Sequence, residues 1–481
     1  MARTLVVTGS GPVAGRLRDG VRSWRGVPYA RAERFGGAGP APSWRDPLDG
    51  TRPGPVGVQH LADGTRVGVE DCLTLDVYAP AEADGPLPVL FWVHGGAFRT
   101  GAAADYDGSV LAAAGPAVVV AVSYRLGPFG FLQLGTAADP EPSPAMTDLL
   151  VALDWVQREV AGFDGDPDRL TLAGQSAGAS LVCALLAAPA GRRARAAIAF
   201  SIGGLPQEPA GSAEVAGRVL ARLGVPRTDR ARLRDLPADV VLAAAREAAA
   251  ASRHDHLGGV FWGPVVDGAV LPEQPVAVAA RGDLRGTTLW LGSCRDEMTV
   301  FLQGGADEAA AVARGHVGAR AFDRLLGVYR ATARPGEDAL QALLTDEMWL
   351  RPAWRLAEAQ VAAGGRAWLS RFDHAPSLPP FDRLGPTHGA DNACLWAHPP
   401  RFVERPLLAR PAAPMGPADL AVSAALHDSV LSLIRGGTPA GGVLDGWPPY
   451  EPATRCTALF DATTRVVADP DAARRSAWTG G

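Results

Sequence analysis

The stretch RLTLAGQSAGASLV, residues 169–182, decides how the chain folds. Its first part, RLTLA, is a short apolar run that reads as a buried strand. Its second part opens AGASLVCALLAA, small and apolar residues that read as the start of a helix. Between them lies the pattern G-x-S-x-G, as Gly174, Gln175, Ser176, Ala177 and Gly178. A serine on a sharp turn from strand to helix is the setting of a nucleophile elbow. Glycines flanking it suit a strained turn and let strand and helix approach closely. The N-terminus of the following helix points at Ser176 and favours negative charge there. In a chain with 57 glycines the motif alone is weak. The strand before it and the helix after it carry the argument.

Other apolar runs extend the pattern: LPVLFWV (87–93), AVVVAV (117–122), AAIAF (196–200), TLWLG (288–292) and AWLSRF (367–372). They are continuous rather than alternating, which suits a parallel sheet covered on both faces. Residues 144–161 and 417–435 read as helices, the second starting at Pro417 and stopping before Gly436 and Gly437. Strands alternating with helices imply an α/β fold with a mainly parallel sheet. Residues 205–286 and 303–365 are helical in pattern and interrupt the strand series. We expect one catalytic domain over 1–481, with these insertions forming a cap over the site.

A hydrolytic serine needs donors for a developing oxyanion. VLFWVHGGAFRTG (89–101) runs a strand into His94, Gly95, Gly96 and Ala97. Glycines there let backbone N–H groups of Gly96 and Ala97 turn toward the oxyanion, beside that of Ala177 after the serine. On this fold the acid and then the histidine follow the serine in the chain. LWLGSCRDEMTVFL presents Asp296 and Glu297 at a strand end, and the residues alone do not choose between them. GPTHGADNACLW presents His388 in a glycine-bearing loop as the base. His94 belongs to the oxyanion loop, His254 and His256 to an insertion, and His427 to the middle of a helix. Phe261, Trp262, Phe301, Trp349 and Trp354 are candidates for substrate pockets, with core packing the commoner role for such residues.

Composition excludes several classes. All 46 basic residues are arginine, the net charge is −5, and the two signs are interspersed, so nucleic acid is not an expected partner. The five cysteines, Cys72, Cys183, Cys294, Cys394 and Cys456, show no metal-ligand spacing and no paired framework. No metal and no organic cofactor are implied. No apolar run reaches the roughly 18 residues of a membrane span, and the N-terminus lacks the apolar core of a signal peptide. A soluble cytoplasmic protein acting on a small molecule, away from membranes, is the expectation.

Together these pieces resemble the type-B carboxylesterase family, which includes para-nitrobenzyl esterases and cholinesterases. The resemblance runs from about residue 7 to about residue 460. It is carried by WRGVPYA (24–30), EDCLTLDVYAP (70–80), HGGAF (94–98), VSYRLGPFGFL (122–132), FDGDPDRLTLAGQSAGAS (163–180), GPVVDGAVLP (263–272), DEMTVFL (296–302) and THGAD (387–391). It implies the α/β-hydrolase fold and a carboxylic ester hydrolase working through an acyl-enzyme. It implies Ser176 as nucleophile, Glu297 as acid, His388 as base, and Gly96, Ala97 and Ala177 as oxyanion donors. Ser201, in AIAFSIGG, matches a family serine near the triad. Several positions depart from the family pattern. Gln175 stands where a glutamate precedes the nucleophile, and Met298 replaces the glycine of D-E-G. Cys72 matches one of two family cysteines while Val58 stands for the other, in keeping with a reducing compartment. No tryptophan lies between Trp44 and Trp92 to hold a quaternary ammonium. Two other uses of the same framework stay open: acyl transfer or cyclisation through the same triad, and a binding role without catalysis.

Overall fold

The runs that lack alternation lie side by side in one sheet. The computed structural model describes residues 3–61, 63–251, 261–302, 306–397 and 414–479. In chain order the sheet strands are β1 (Arg3–Val7), β2 (Pro12–Arg18), β3 (Val21–Pro28), β4 (Thr74–Pro80), β5 (Leu87–Val93) and β6 (Val118–Val122). They continue as β7 (Gly165–Gln175), β8 (Ala196–Phe200), β9 (Thr288–Cys294), β10 (Arg366–Phe372), β11 (Cys456–Phe460) and β12 (Arg465–Ala468). Their spatial order is β1-β2-β3-β4-β6-β5-β7-β8-β9-β10-β11-β12. From β6 to β11 every neighbouring pair is parallel, and the flanking pairs along this order are antiparallel. A thirteenth strand of two residues, Leu48–Asp49, pairs parallel with β2 off this order. The α/β-hydrolase arrangement expected from the sequence is therefore present.

The central strands have two buried faces, which is why they lack polar alternation. In β5, Val89, Phe91 and Val93 join one core with Trp155 and Leu172. Leu90 and Trp92, pointing the other way, join a second core with Trp290 and Trp396. Trp92 meets Trp396 edge to face at 4.8 Å. Helix α1 (Pro144–Glu159) covers the first face, its buried side formed by Leu149, Leu153, Trp155 and Val156. Helix α2 (Ala177–Ala187) is buried along its whole length, which accounts for its small and apolar residues.

The outer strands had no such signature. In β2 buried and half-buried residues alternate, and β12 is largely exposed. The two C-terminal glycines also differ from expectation. The last long helix, α3, spans Pro417–Gly436, one residue further than the glycine signal suggests. Gly436 stays helical, and Gly437 takes the left-handed capping conformation at φ 77°. All five cysteines are free, and burial pushes the Cys72 thiol up to about 12. Among the described residues no helix is long and apolar enough to cross a membrane.

The two interrupting stretches contain helices. The first holds Pro209–Leu223 and Ala238–Ala251, and the second holds Ala306–Val317, Ala319–Ala331 and Ala339–Thr345. His254 and His256 lie outside the described residues.

Candidate active site

Strand β7 ends at Gln175 and α2 begins at Ala177, so Ser176 stands alone on the turn between them. It adopts φ 60° and ψ −127°, a strained conformation for a residue with a side chain. Its amide N–H donates to the Phe200 carbonyl at 2.9 Å, which pins the turn to β8. The flanking glycines are required by proximity and not by backbone angle. A Cβ on Gly178 would lie 2.0 Å from the Val93 carbonyl oxygen, and one on Gly174 would lie 2.6 Å from Gly178.

The loop after β5 reaches the same point. Gly96, Ala97 and Phe98 all take positive φ, at 112°, 52° and 60°. This hook buries Phe98 against Phe131 and leaves Gly96 and Ala97 beside Ser176 on the cleft wall. The N–H groups of Gly96 and Ala97 have no acceptor among the described residues. Ala177, the first residue of its helix, has none within that helix. His94 supports the loop from below. It is fully buried, stacks on Tyr124 at 4.3 Å, and bonds through Nδ1 to the Gly95 carbonyl. Burial holds its pKa down at about 4, so it is a neutral support.

The chain's later loops complete the constellation. His388 Nε2 lies 2.8 Å from Ser176 Oγ. Its Nδ1 lies 2.5 Å from Glu297 Oε2. Glu297 is wholly buried, and its other oxygen accepts the Cys294 N–H at 2.7 Å. Asp296, the alternative acid, instead faces the guanidinium of Arg295 at 2.9 Å. The imidazole packs against Trp349 at 4.3 Å and Phe301 at 5.2 Å.

Trp349 sits in a single turn of π-helix, Asp346–Leu350. Met298 explains itself here. Its side chain is buried with Phe322, Leu343 and Trp349, and its N–H donates to Thr345 Oγ1 at 3.2 Å. The residue that departs from the family pattern thus docks the acid loop into the helices of the second insertion. Among the other aromatic candidates, Phe261 and Trp262 pack edge to face in the core. Trp354 lines a separate small cavity under β9 and β10.

Gln175 approaches His388 Nε2 at 3.4 Å, and its carbonyl accepts from Asn392 Nδ2 at 3.1 Å. Sequence reasoning missed Asn392; its place in HGADN, four residues after His388, was the available signal. Ser201 is buried at φ 53°, its N–H bonded to the Gly292 carbonyl and its hydroxyl without a partner among the described residues. His427 bonds the Leu395 carbonyl from its helix, away from Ser176. The cleft has a volume of about 220 Å³. It is walled by residues of 96–100, 175–176, 300–301 and 380–392, and no described residue of 205–286 lines it.

Comparison with known proteins shows the family. The family model described as "Carboxylesterase family" matches residues 2–478. The chain belongs to the carboxylesterase family. It is 31% identical to the para-nitrobenzyl esterase of Bacillus subtilis (strain 168) over 500 residues, covering 99% of this chain and 98% of that protein. It is 29% identical to the fumonisin B1 esterase of Sphingopyxis macrogoltabida, covering 92% of this chain and 84% of that one. Among solved structures, a PNB esterase superposes with a TM-score of 0.85 at 30% identity, over 99% of this chain and 100% of that one. A Geobacillus stearothermophilus carboxylesterase at pH 6.2 superposes with a TM-score of 0.86 at 32% identity, with the same coverage. The carboxylesterase is thus a carboxylic ester hydrolase on the α/β-hydrolase fold.

Two buried acids give the enzyme a testable pH response. Burial, and next the charge of Glu297, push the Asp391 carboxyl up to about 7. Burial and the nearby Asp471 push Asp346 in the same direction. An unfolded aspartate titrates near 3.9. Between about pH 4 and pH 7 the folded chain therefore holds protons that the unfolded chain has lost. Stability from these groups is present at the acid end and declines as pH rises through that window. Buried neutral His94 contributes with the opposite sign over the same window, so the test is a difference between wild type and Asp391→Asn. From pH 5 to pH 7.5 the variant's melting midpoint should rise relative to that of wild type, and an unchanged difference between the two would remove Asp391 as a contributor.

Proposed function

We propose that the chain hydrolyses carboxylic esters through an acyl-enzyme on Ser176. The observation that carries this reading is the line of short contacts Ser176 Oγ, His388, Glu297 beside the unpaired amides of Gly96 and Ala97. Buried Glu297 accepts the Nδ1 proton of His388, which leaves the Nε2 lone pair facing the serine hydroxyl. As Ser176 Oγ attacks the ester carbon, its proton passes to Nε2. The carbonyl oxygen becomes an oxyanion held by the N–H groups of Gly96, Ala97 and Ala177, each such donor typically worth about 3 kcal/mol. His388 then returns the proton to the departing alkoxide, and the acyl group stays on Ser176. Water repeats the sequence: His388 takes its proton, hydroxide adds to the acyl carbon, and the proton goes back to Oγ as the carboxylic acid leaves. Gln175, clamped by Asn392, lies beside Nε2 without adding charge, and Ser201 packs beneath the turn. The whole chain acts as one catalytic unit, with the second insertion backing His388 through Trp349.

The test is covalent. With para-nitrophenyl butyrate, rapid mixing should release a burst of about one nitrophenolate per active site. Quenching during turnover should leave a butyryl group on the peptide containing Ser176. An acyl adduct mapped to another residue, or turnover with no adduct under conditions where deacylation is slowed, would reject the mechanism.

A further inference from the structure

The cleft wall carries an exposed cation that no described residue neutralises. Arg99 lies three residues after Gly96, and its N–H donates to the Gly96 carbonyl at 3.0 Å. The positive-φ hook at residues 96–98 sends Phe98 into the core and leaves Arg99 on the cleft wall with Ser176. Among the described residues no carboxylate or other acceptor meets its guanidinium.

The buried and half-buried arginines Arg125, Arg371 and Arg295 are matched, to Asp148, to Asp373 and Asp471, and to Asp296. Arg99 differs in being exposed and unmatched among the described residues. The rest of the described cleft wall adds no negative charge. It consists of glycine, alanine, threonine, serine, amide, proline, apolar residues and His388. Glu297 has both oxygens committed behind His388, and Asp391 is buried outside the lining. The exposed Arg99 guanidinium is available to a group that enters the cleft. A carboxylate on the substrate would supply two parallel charge-assisted hydrogen bonds, the geometry to which a planar guanidinium is suited.

Resting on the hydrolase reading above, we propose that Arg99 anchors the substrate and that the preferred esters carry a carboxylate within its reach. The test uses two matched pairs that place the charge on either side of the ester bond. On the acyl side the 4-nitrophenyl monoester of adipic acid is compared with its uncharged monoamide counterpart. On the alcohol side 4-acetoxybenzoate is compared with 4-acetoxybenzamide. The quantity read is the ratio of kcat/KM, acid over amide, within each pair.

In at least one pair the wild-type ratio should exceed about 10, carried by KM, and should shrink as ionic strength rises. Arg99→Gln should lower that ratio about 10- to 100-fold, the span of charge-assisted hydrogen bonds. Arg99→Lys should keep part of it, which a purely structural role would not predict. A wild-type ratio near one in both pairs, or a ratio unchanged in Arg99→Gln, overturns the assignment while ester turnover stands. Absence of turnover with all four esters overturns the hydrolase reading itself, and the anchor with it.

Discussion

Replacing Ser176 by alanine should lower kcat for ester hydrolysis about 10⁴- to 10⁶-fold, the scale seen when a triad nucleophile is removed. The substitution deletes one oxygen whose hydrogen-bond partner is His388. The turn keeps its glycine-enforced contacts and its N–H bond to Phe200, so the fold should survive. Comparing the variant's melting curve with wild type separates lost chemistry from lost structure. Substituting His388 as well should add little, because members of a triad act as a unit and their losses do not sum. A variant retaining more than about 1% of wild-type kcat, at unchanged stability, would place the nucleophile elsewhere.

Glu297→Gln should cost about 10³- to 10⁴-fold in kcat, through the wrong imidazole tautomer and not through a cavity. The amide has nearly the shape of the carboxylate. Its oxygen can go on accepting the Cys294 N–H, which turns its NH₂ toward His388 Nδ1. Nδ1 must then be the acceptor, so Nε2 carries the hydrogen and can no longer take the serine proton. The loss should fall mainly on kcat, with KM little changed. Asp296→Asn is the matched control. Its carboxylate faces Arg295, and that variant should stay within a few-fold of wild type. Reversal of the two effects would exchange the roles of these neighbouring acids.

Much of this site was legible in the sequence because a nucleophile elbow and an oxyanion loop are local devices. Close approach of strand and helix demands glycine at Gly174 and Gly178, and those residues stand in the chain as a pattern. The buried central strands were legible for a related reason: two covered faces leave continuous apolar runs. The choice between Asp296 and Glu297 was not legible from the residues alone. It depends on which carboxylate the turn after β9 directs to a loop 91 residues away. Asn392 and Arg99 were also hidden, and Trp349 was one of five aromatic candidates that the residues alone did not rank. An asparagine, one cation among 46 or one tryptophan among 12 gains its meaning from what tertiary folding sets beside it. The outer strands β1 to β3 escaped because partial exposure and interspersed arginines break up the apolar run that marks the central strands.

The burial of Met298 has a consequence for how the enzyme fails. Met298 and Trp349 belong to a satellite core with Phe322, Leu325 and Leu343, separate from the two cores that sandwich the sheet. One residue adjoins the carboxylate that orients the imidazole, and the other is the surface on which the imidazole rests. A partial opening confined to this satellite would therefore misalign the proton relay while the sheet stayed intact. Inactivation on warming is then expected to run ahead of the loss of bulk secondary structure.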